Sequence, residues 1–216
     1  MTHRFDHYKI MPIGDSITET TCFPNLLQQK LKDDGFFNFT FIGSTLNNQA
    51  CDGASHVQTE GHGGWLVTSL LPKGANDGAA QGWIKDSGVN VALIHFATND
   101  VWSSKSKDEI LLAHTLLVNL LREETPNVVI FVAQIIPVNP SDCSQCLGNT
   151  LSFNAAVPAW ADQMNTSESP VIVVDQFTGF DTASLTRDGV HPNVEGGKVM
   201  AQKWYDAMQV LNIPHK

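Results

Sequence analysis

Five short runs of almost unbroken apolar residues, set apart by stretches with helical spacing, constrain this chain more than any other feature. They are "YKIMPI" (8–13), "FTFIG" (39–43), "VNVALIHFA" (89–97), "NVVIFVAQ" (127–134) and "PVIVVD" (170–175). All are rich in Val, Ile or Phe, and Gly, Asn, Asp or Pro stands near most of their ends, as at strand boundaries. A strand with one wet face alternates apolar and polar residues, so runs that are apolar throughout are expected to be covered on both faces. Between them lie helical patterns at 24–35, 107–124, 150–164 (interrupted by Pro158) and 193–211. In 107–124, Ile110, Leu111, Leu117, Val118 and Leu121 fall at helical spacing. Strands joined by helices predict an α/β fold: a three-layer α/β/α sandwich around a five-stranded parallel sheet in the flavodoxin-like order 2-1-3-4-5. With no repeat, low-complexity segment or linker, residues 1–216 read as one domain.

Residues 44–88 break the alternation. They are rich in glycine, carry Asn47 and Asn48, and show only a weak helical signal around Trp65–Leu71. A long irregular segment in a compact α/β domain is either functional or a cover for a sheet edge.

Charge narrows the ligands. Lys and Arg number 13 against 22 Asp and Glu, a net charge of −9, and no basic cluster occurs. That argues against nucleic acid and anionic membranes, and favours an uncharged ligand. No apolar stretch approaches the ~20 residues of a membrane span. The first strand begins near Tyr8, which leaves no room for a signal peptide. The alternatives are a cytosolic protein or a mature secreted form behind a new Met1. Cys22, Cys51, Cys143 and Cys146 all lie in polar, turn-rich stretches. Free cysteines are more often buried in the core, so this placement favours disulfides and an oxidising compartment. "CSQC" has metal-ligand spacing, but no second close pair or neighbouring histidine completes a zinc site.

In an open parallel sheet, sites form beyond the carboxyl ends of the strands, near the switch in strand order. The first run ends in Gly14-Asp15-Ser16, which offers a serine on a tight turn. The third ends in "ATND" (97–100), which brings Asn99 to the same edge. The glycines of "EGHGGW" (60–65) allow a backbone N–H to approach a ligand closely. In "TRDGVHPN" (186–193), Asp188 and His191 stand three apart across Gly189, so the carboxylate can accept from one ring nitrogen while the other faces a serine. Taken singly, each segment is also compatible with an ordinary turn or cap. His95 and His114 sit in apolar runs and read as core histidines; His3, His7 and His215 lie in the chain ends. His62 lies in the glycine turn, where it could line the cleft. Asp175, at the end of the fifth run, rivals Asp188 for the acid.

Taken together and in order, "GDSIT", the glycine of "HGGW", "TND" and "DGVHP" resemble the four blocks of the SGNH (GDSL-type) hydrolases over nearly the whole chain. The resemblance implies Ser16 as nucleophile and first oxyanion donor, and Asn99 as third. It implies His191 as base with Asp188 as its orienter. The second oxyanion donor falls on Gly64 in preference to Gly63, because the family's glycine usually follows a small residue and precedes a polar or aromatic one. Within the family, "IMPIGDSIT", "FIGS", "EGHGGW" and "DGVHPN" look most like carbohydrate esterase family 3, whose members deacetylate xylan. Two departures stand out: Ala97 replaces the usual glycine of the third block, and "TETTCF" stands where many relatives carry Gly-Tyr-Arg.

The resemblance implies a secreted, cofactor-free and metal-free serine esterase, expected to be a monomer, that deacetylates plant-wall polysaccharide, acetylxylan first among candidates. Trp65 and Trp102 follow the second and third blocks, so with His62 they are the expected substrate contacts. The expected disulfides are Cys22–Cys51, between the serine turn and the segment leading to Gly64, and Cys143–Cys146. Two other classes are compatible with the same residues. One is a short-chain lipid or thioester hydrolase; the other is a non-catalytic carbohydrate-binding protein that keeps the fold.

Overall fold

The computed structural model describes residues 5–211; His3 and His215 lie outside them. In chain order the strands are β1 (Tyr8–Gly14), β2 (Phe39–Phe41), β3 (Thr45–Asn47), β4 (Val57–Gly61), β5 (Val91–His95), β6 (Val129–Gln134) and β7 (Val171–Asp175). The helices are α1 (Ser16–Thr20), α2 (Phe23–Asp33), α3 (Ala79–Ile84), α4 (Thr98–Trp102), α5 (Lys107–Glu124), α6 (Cys146–Met164), α7 (Thr182–Leu185) and α8 (Val194–Met208).

All seven strands form one sheet in the order β3-β4-β1-β5-β6-β7, with β2 also paired to β1. The expected order 2-1-3-4-5 is present, but its second position is shared. β2 runs parallel to Tyr8–Ile10 of β1, and β4 runs parallel to Ile13–Gly14. Ile10 and Ile13 each also pair with β5, so β2 and β4 lie along the same flank of β1. Pro12 gives a physical reason for the handover. The Ile10 carbonyl accepts from Ile42 N–H and the Gly14 carbonyl from His62 N–H. Alternate residues of a strand face the same neighbour, so Pro12 faces that flank too and has no N–H to donate. The gap between β2 and β4 falls there. The five-strand expectation is corrected to seven, because β3 and β4 form an antiparallel hairpin at the edge, within the segment read as irregular. The weak helical signal in that segment becomes a 3-10 turn, Val67–Leu70.

Every residue of β5 is buried, as are all of β6 except Gln134, so both faces of the sheet centre are covered. One layer pairs α2 with α8; the other packs α5 on α3 and α6. Phe23 stacks on the buried Trp204 at 6.4 Å to hold the first pair together. Truncating such a ring costs about 3–5 kcal/mol.

The 107–124 helix forms over that span, opened by a capping box between Ser106 and Glu109. The 150–164 helix begins earlier, at Cys146, straight out of a Cys143–Cys146 disulfide. Pro158 lies inside it and leaves the Asn154 carbonyl without its helical donor. The Gln134 side-chain amide, from the end of β6, donates to that carbonyl at 2.9 Å. The helix therefore continues through the proline. Cys22–Cys51 is the second disulfide, so both expected pairs are present and "CSQC" is a bridge rather than half of a zinc site.

Candidate active site

Three strand ends and one loop converge where the sheet order switches. Ser16 opens α1 directly after β1. Asp15 caps that helix, its Oδ1 accepting from Ile17 N–H at 3.0 Å. Its Oδ2 accepts from Thr98 N–H at 3.1 Å, which ties the serine turn to the end of β5. Burial raises the Asp15 carboxyl from its ordinary 3.8 to about 6, against the pull of these hydrogen bonds.

Gly196 and Gly197 at the start of α8 permit the second approach. A Cβ at Gly196 would overlap the Leu185 carbonyl, and one at Gly197 would press on Cys22 at 3.2 Å. The loop before α8 is thereby held against the chain just after Ser16. There His191 Nε2 lies 2.9 Å from Ser16 Oγ, and His191 Nδ1 lies 2.7 Å from Asp188 Oδ2. Asp188 Oδ1 accepts from the backbone N–H of His191 at 2.7 Å and of Val190 at 3.0 Å. Partial burial pushes the Asp188 carboxyl up, but the hydrogen bonds from His191 and Val190 outweigh it and leave it below the usual range. With Nδ1–H on Asp188, Nε2 is an acceptor aimed at the hydroxyl. Asp175, the rival acid, accepts from Phe177 and Thr178 in its own loop, not from His191.

The glycine turn after β4 lies beside Ser16, since a Cβ on Gly63 would stand 3.7 Å from Ser16 Cβ. Among the described residues, neither the Ser16 N–H nor the Gly64 N–H has a protein acceptor, whereas the Gly63 N–H donates to Glu19 Oε2 at 2.7 Å. Gly64 has φ +78, and a Cβ there would meet nothing within 4 Å. Asn99 Nδ2 donates to the Trp65 carbonyl at 2.8 Å, which spends one of its two hydrogens and fixes the amide against the same turn. A hydroxyl polarised by an imidazole, facing free N–H donors, can attack an ester carbonyl and hold the resulting oxyanion.

Two carboxylates that sequence reasoning passed over hold this wall. Buried Glu60 accepts from Ser44 N–H (2.6 Å), Ser44 Oγ (2.8 Å) and His62 Nε2 (3.0 Å). Buried Asp100 accepts from Val67 N–H, Thr68 N–H and Thr68 Oγ1, anchoring the 3-10 turn. An acidic residue at a strand end was the available signal, but only the fold supplies its donors. Asp100 thus holds a neighbouring turn and does not cap its own helix, whose N-cap is Ala97.

His62, Trp65 and Trp83 form one cluster of mutually contacting rings, with His62 at 4.7 Å from Trp65 and 4.2 Å from Trp83, the two Trp rings 5.6 Å apart, and His62 Nε2 engaged by Glu60. His62 and Trp65 thus belong to one aromatic cluster with Trp83 beside the glycine turn. Trp102 stays 37% exposed, one helical turn beyond Asn99. His95 and His114 are buried in the core as expected; His114 Nδ1 lies 2.9 Å from the Ile110 carbonyl, while His95 Nδ1 has no partner among the described residues.

The mostly parallel sheet between two helical layers, with these strand-end blocks, has the fold of an SGNH hydrolase. The GDSL-like lipase/acylhydrolase family model matches residues 13–199, and the chain belongs to that family of esterases and acylhydrolases. It is similar to a carbohydrate esterase family 3 structure from Talaromyces cellulolyticus, with TM-score 0.82 and 29% identity over 95% of this chain and 98% of that one. A serine-to-alanine mutant of an acetyl esterase, solved with an acetate ion, gives TM-score 0.81 and 28% identity at the same coverage. A multidomain esterase of Ruminococcus flavefaciens is 27% identical over 93% of this chain, which spans 28% of that relative's length.

Proposed function

We propose that the protein is a secreted serine esterase that removes O-acetyl groups from plant-wall polysaccharide, with acetylxylan the leading substrate. The observation that carries the reading is the continuous chain Ser16 Oγ–His191–Asp188 beside a glycine turn, with the N–H groups of Ser16 and Gly64 lacking a protein acceptor among the described residues. His191 accepts the Ser16 proton as Oγ attacks the acetyl carbonyl. Asp188 keeps the imidazole in the tautomer that can accept and steadies the imidazolium. The N–H groups of Ser16 and Gly64 and the Asn99 amide hold the oxyanion. His191 then gives the proton to the leaving sugar oxygen, and water released onto the acetyl-enzyme by the same base frees acetate. No cofactor enters these steps.

The acetyl preference and the glycan draw on the likeness to carbohydrate esterase family 3 and to the acetyl esterase. Secretion draws on two disulfides with no free cysteine among the described residues. The test is acetate release from acetylated xylan, glucomannan and pectin by the parent and by Ser16→Ala, beside acetyl and long-chain aryl esters. Ser16-dependent release from xylan supports the reading. Preference for long-chain esters moves the protein to lipid hydrolysis, and binding without turnover moves it to a lectin-like role.

A further inference from the structure

Glu19 stands one helical turn after Ser16, on the same side of α1. Its carboxylate reaches across to the glycine turn, where Oε2 accepts the Gly63 N–H at 2.7 Å. The contact is built into the backbone. A Cβ on Gly61 would meet the Glu19 N at 2.4 Å and its Cα at 2.6 Å, so α1 lies directly against the end of β4. A Cβ on Gly63 would stand 3.7 Å from Ser16 Cβ, which puts the Gly63 peptide beside the reacting hydroxyl. Two adjacent N–H groups therefore compete for the oxyanion, and Glu19 has already claimed one.

We propose that Glu19 is a positioning residue for the oxyanion-binding turn: by taking the Gly63 N–H, it fixes the His62–Gly63 peptide, the first of the turn, and so sets the position from which the next N–H, that of Gly64, faces the reacting carbonyl. The proposal rests on the esterase reading above. The other supports of the turn fix its ends. His62 N–H bonds to the Gly14 carbonyl, and the Trp65 carbonyl is held by Asn99. Between them, Gly63 and Gly64 have no side chain to lock them, and Gly64 adopts a left-handed φ of +78. The Trp65 N–H closes the turn on the His62 carbonyl at 3.2 Å, and Glu19 is the side chain that bonds the N–H of the same His62–Gly63 peptide. A carboxylate so near a developing oxyanion opposes it electrostatically, so its value lies in accepting the hydrogen bond rather than in its charge. The glutamine amide oxygen can accept the same bond.

The experiment compares parent, Glu19→Ala, Glu19→Gln and Glu19→Asp on p-nitrophenyl acetate. It measures kcat and KM separately, the affinity of a small alkyl boronic acid that forms a tetrahedral adduct with serine, and thermal unfolding. Misplacing one oxyanion donor should lower kcat of Glu19→Ala by about 10–100-fold with KM changed by less than about twofold. Boronate affinity should fall in parallel, because the boronate samples the same hole. Glu19→Gln should recover kcat to within about fivefold of the parent, and Glu19→Asp, one methylene short of Gly63, should lie between. The proposal is overturned if Glu19→Ala keeps parental kcat, if Glu19→Gln is as slow as Glu19→Ala, or if the loss is all in KM with boronate affinity unchanged. Should Glu19→Ala fail to fold, the Gln and Asp variants decide by the same readouts. A parent with no Ser16-dependent esterase activity removes the underlying reading and this proposal with it. An active parent indifferent to Glu19 removes the proposal alone.

Discussion

Replacing Asp188 by Asn changes one atom, and the geometry says what that atom does. Asp188 Oδ1 accepts two backbone N–H groups, so the asparagine oxygen is held there and the new NH2 falls on the Oδ2 side. That side faces His191 Nδ1 at 2.7 Å, where the NH2 can only donate. The imidazole must then carry its proton on Nε2, against Ser16 Oγ, and cannot accept the serine proton. The same exchange in a buried serine-protease triad costs about 10⁴-fold. Here the Asp188 side chain is 51% exposed and that of His191 31%, so water can reach the ring and part of the loss should be recovered. We expect kcat/KM for p-nitrophenyl acetate to fall by about 10²–10³, or about 3–4 kcal/mol of transition-state stabilisation. Asp175→Asn should be nearly silent, since its oxygen can still accept from Phe177 and Thr178. Steady-state rates, with circular dichroism to confirm folding, decide the matter. Activity retained in folded Asp188→Asn and abolished in folded Asp175→Asn would refute the assignment of the acid.

Trp102→Ala, which removes a ring 37% exposed beyond Asn99, should weaken discrimination between acetyl and butyryl esters; each excluded methylene is worth about 1–3 kcal/mol, and an unchanged kcat/KM ratio would mean the ring does not bound the acyl site. Opening Cys22–Cys51 by paired Ser substitution should cost about 3–4 kcal/mol by chain entropy, against about 2 kcal/mol for Cys143–Cys146, because the first closes a span of 29 residues and the second of 3. Urea denaturation reads that difference directly, and equal costs would contradict it. Burial lowers His114 to about 4, so the unfolded chain takes up its proton first and the fold loses up to about 3 kcal/mol as pH falls from 6.5 towards 4. His114→Gln should flatten that limb of the stability curve. Asp15, raised to about 6 by burial, acts with the opposite sign: its share of stability is complete below 3.8 and is lost as pH rises through about 6, so Asp15→Asn should gain on the parent across that window.

What the sequence determined by itself was local or periodic. Unbroken apolar runs require two covered faces whatever their neighbours, so a parallel sheet between helical layers was legible from the runs alone, while its order rests on a common five-stranded pattern of that class. Turn chemistry marked Ser16, Asn99 and the Asp188–His191 pair only as candidates, and the resemblance of the four segments in order to the family's blocks gave them their expected roles. The tertiary structure decided whatever needed a partner distant in the chain. The β3–β4 hairpin went unread because its strands are short and polar, and its stability comes from joining a flank that Pro12 leaves open. Glu60, Asp100 and Glu19 are ordinary acidic residues in sequence. They acquire meaning only when buried or bridging contacts bring Ser44, Val67, Thr68 and Gly63 to their oxygens. The resemblance preferred Gly64 to Gly63 as donor, but the difference in what their N–H groups do came only from the fold. A carboxylate 44 positions away takes the N–H of Gly63, while that of Gly64 has no protein acceptor among the described residues.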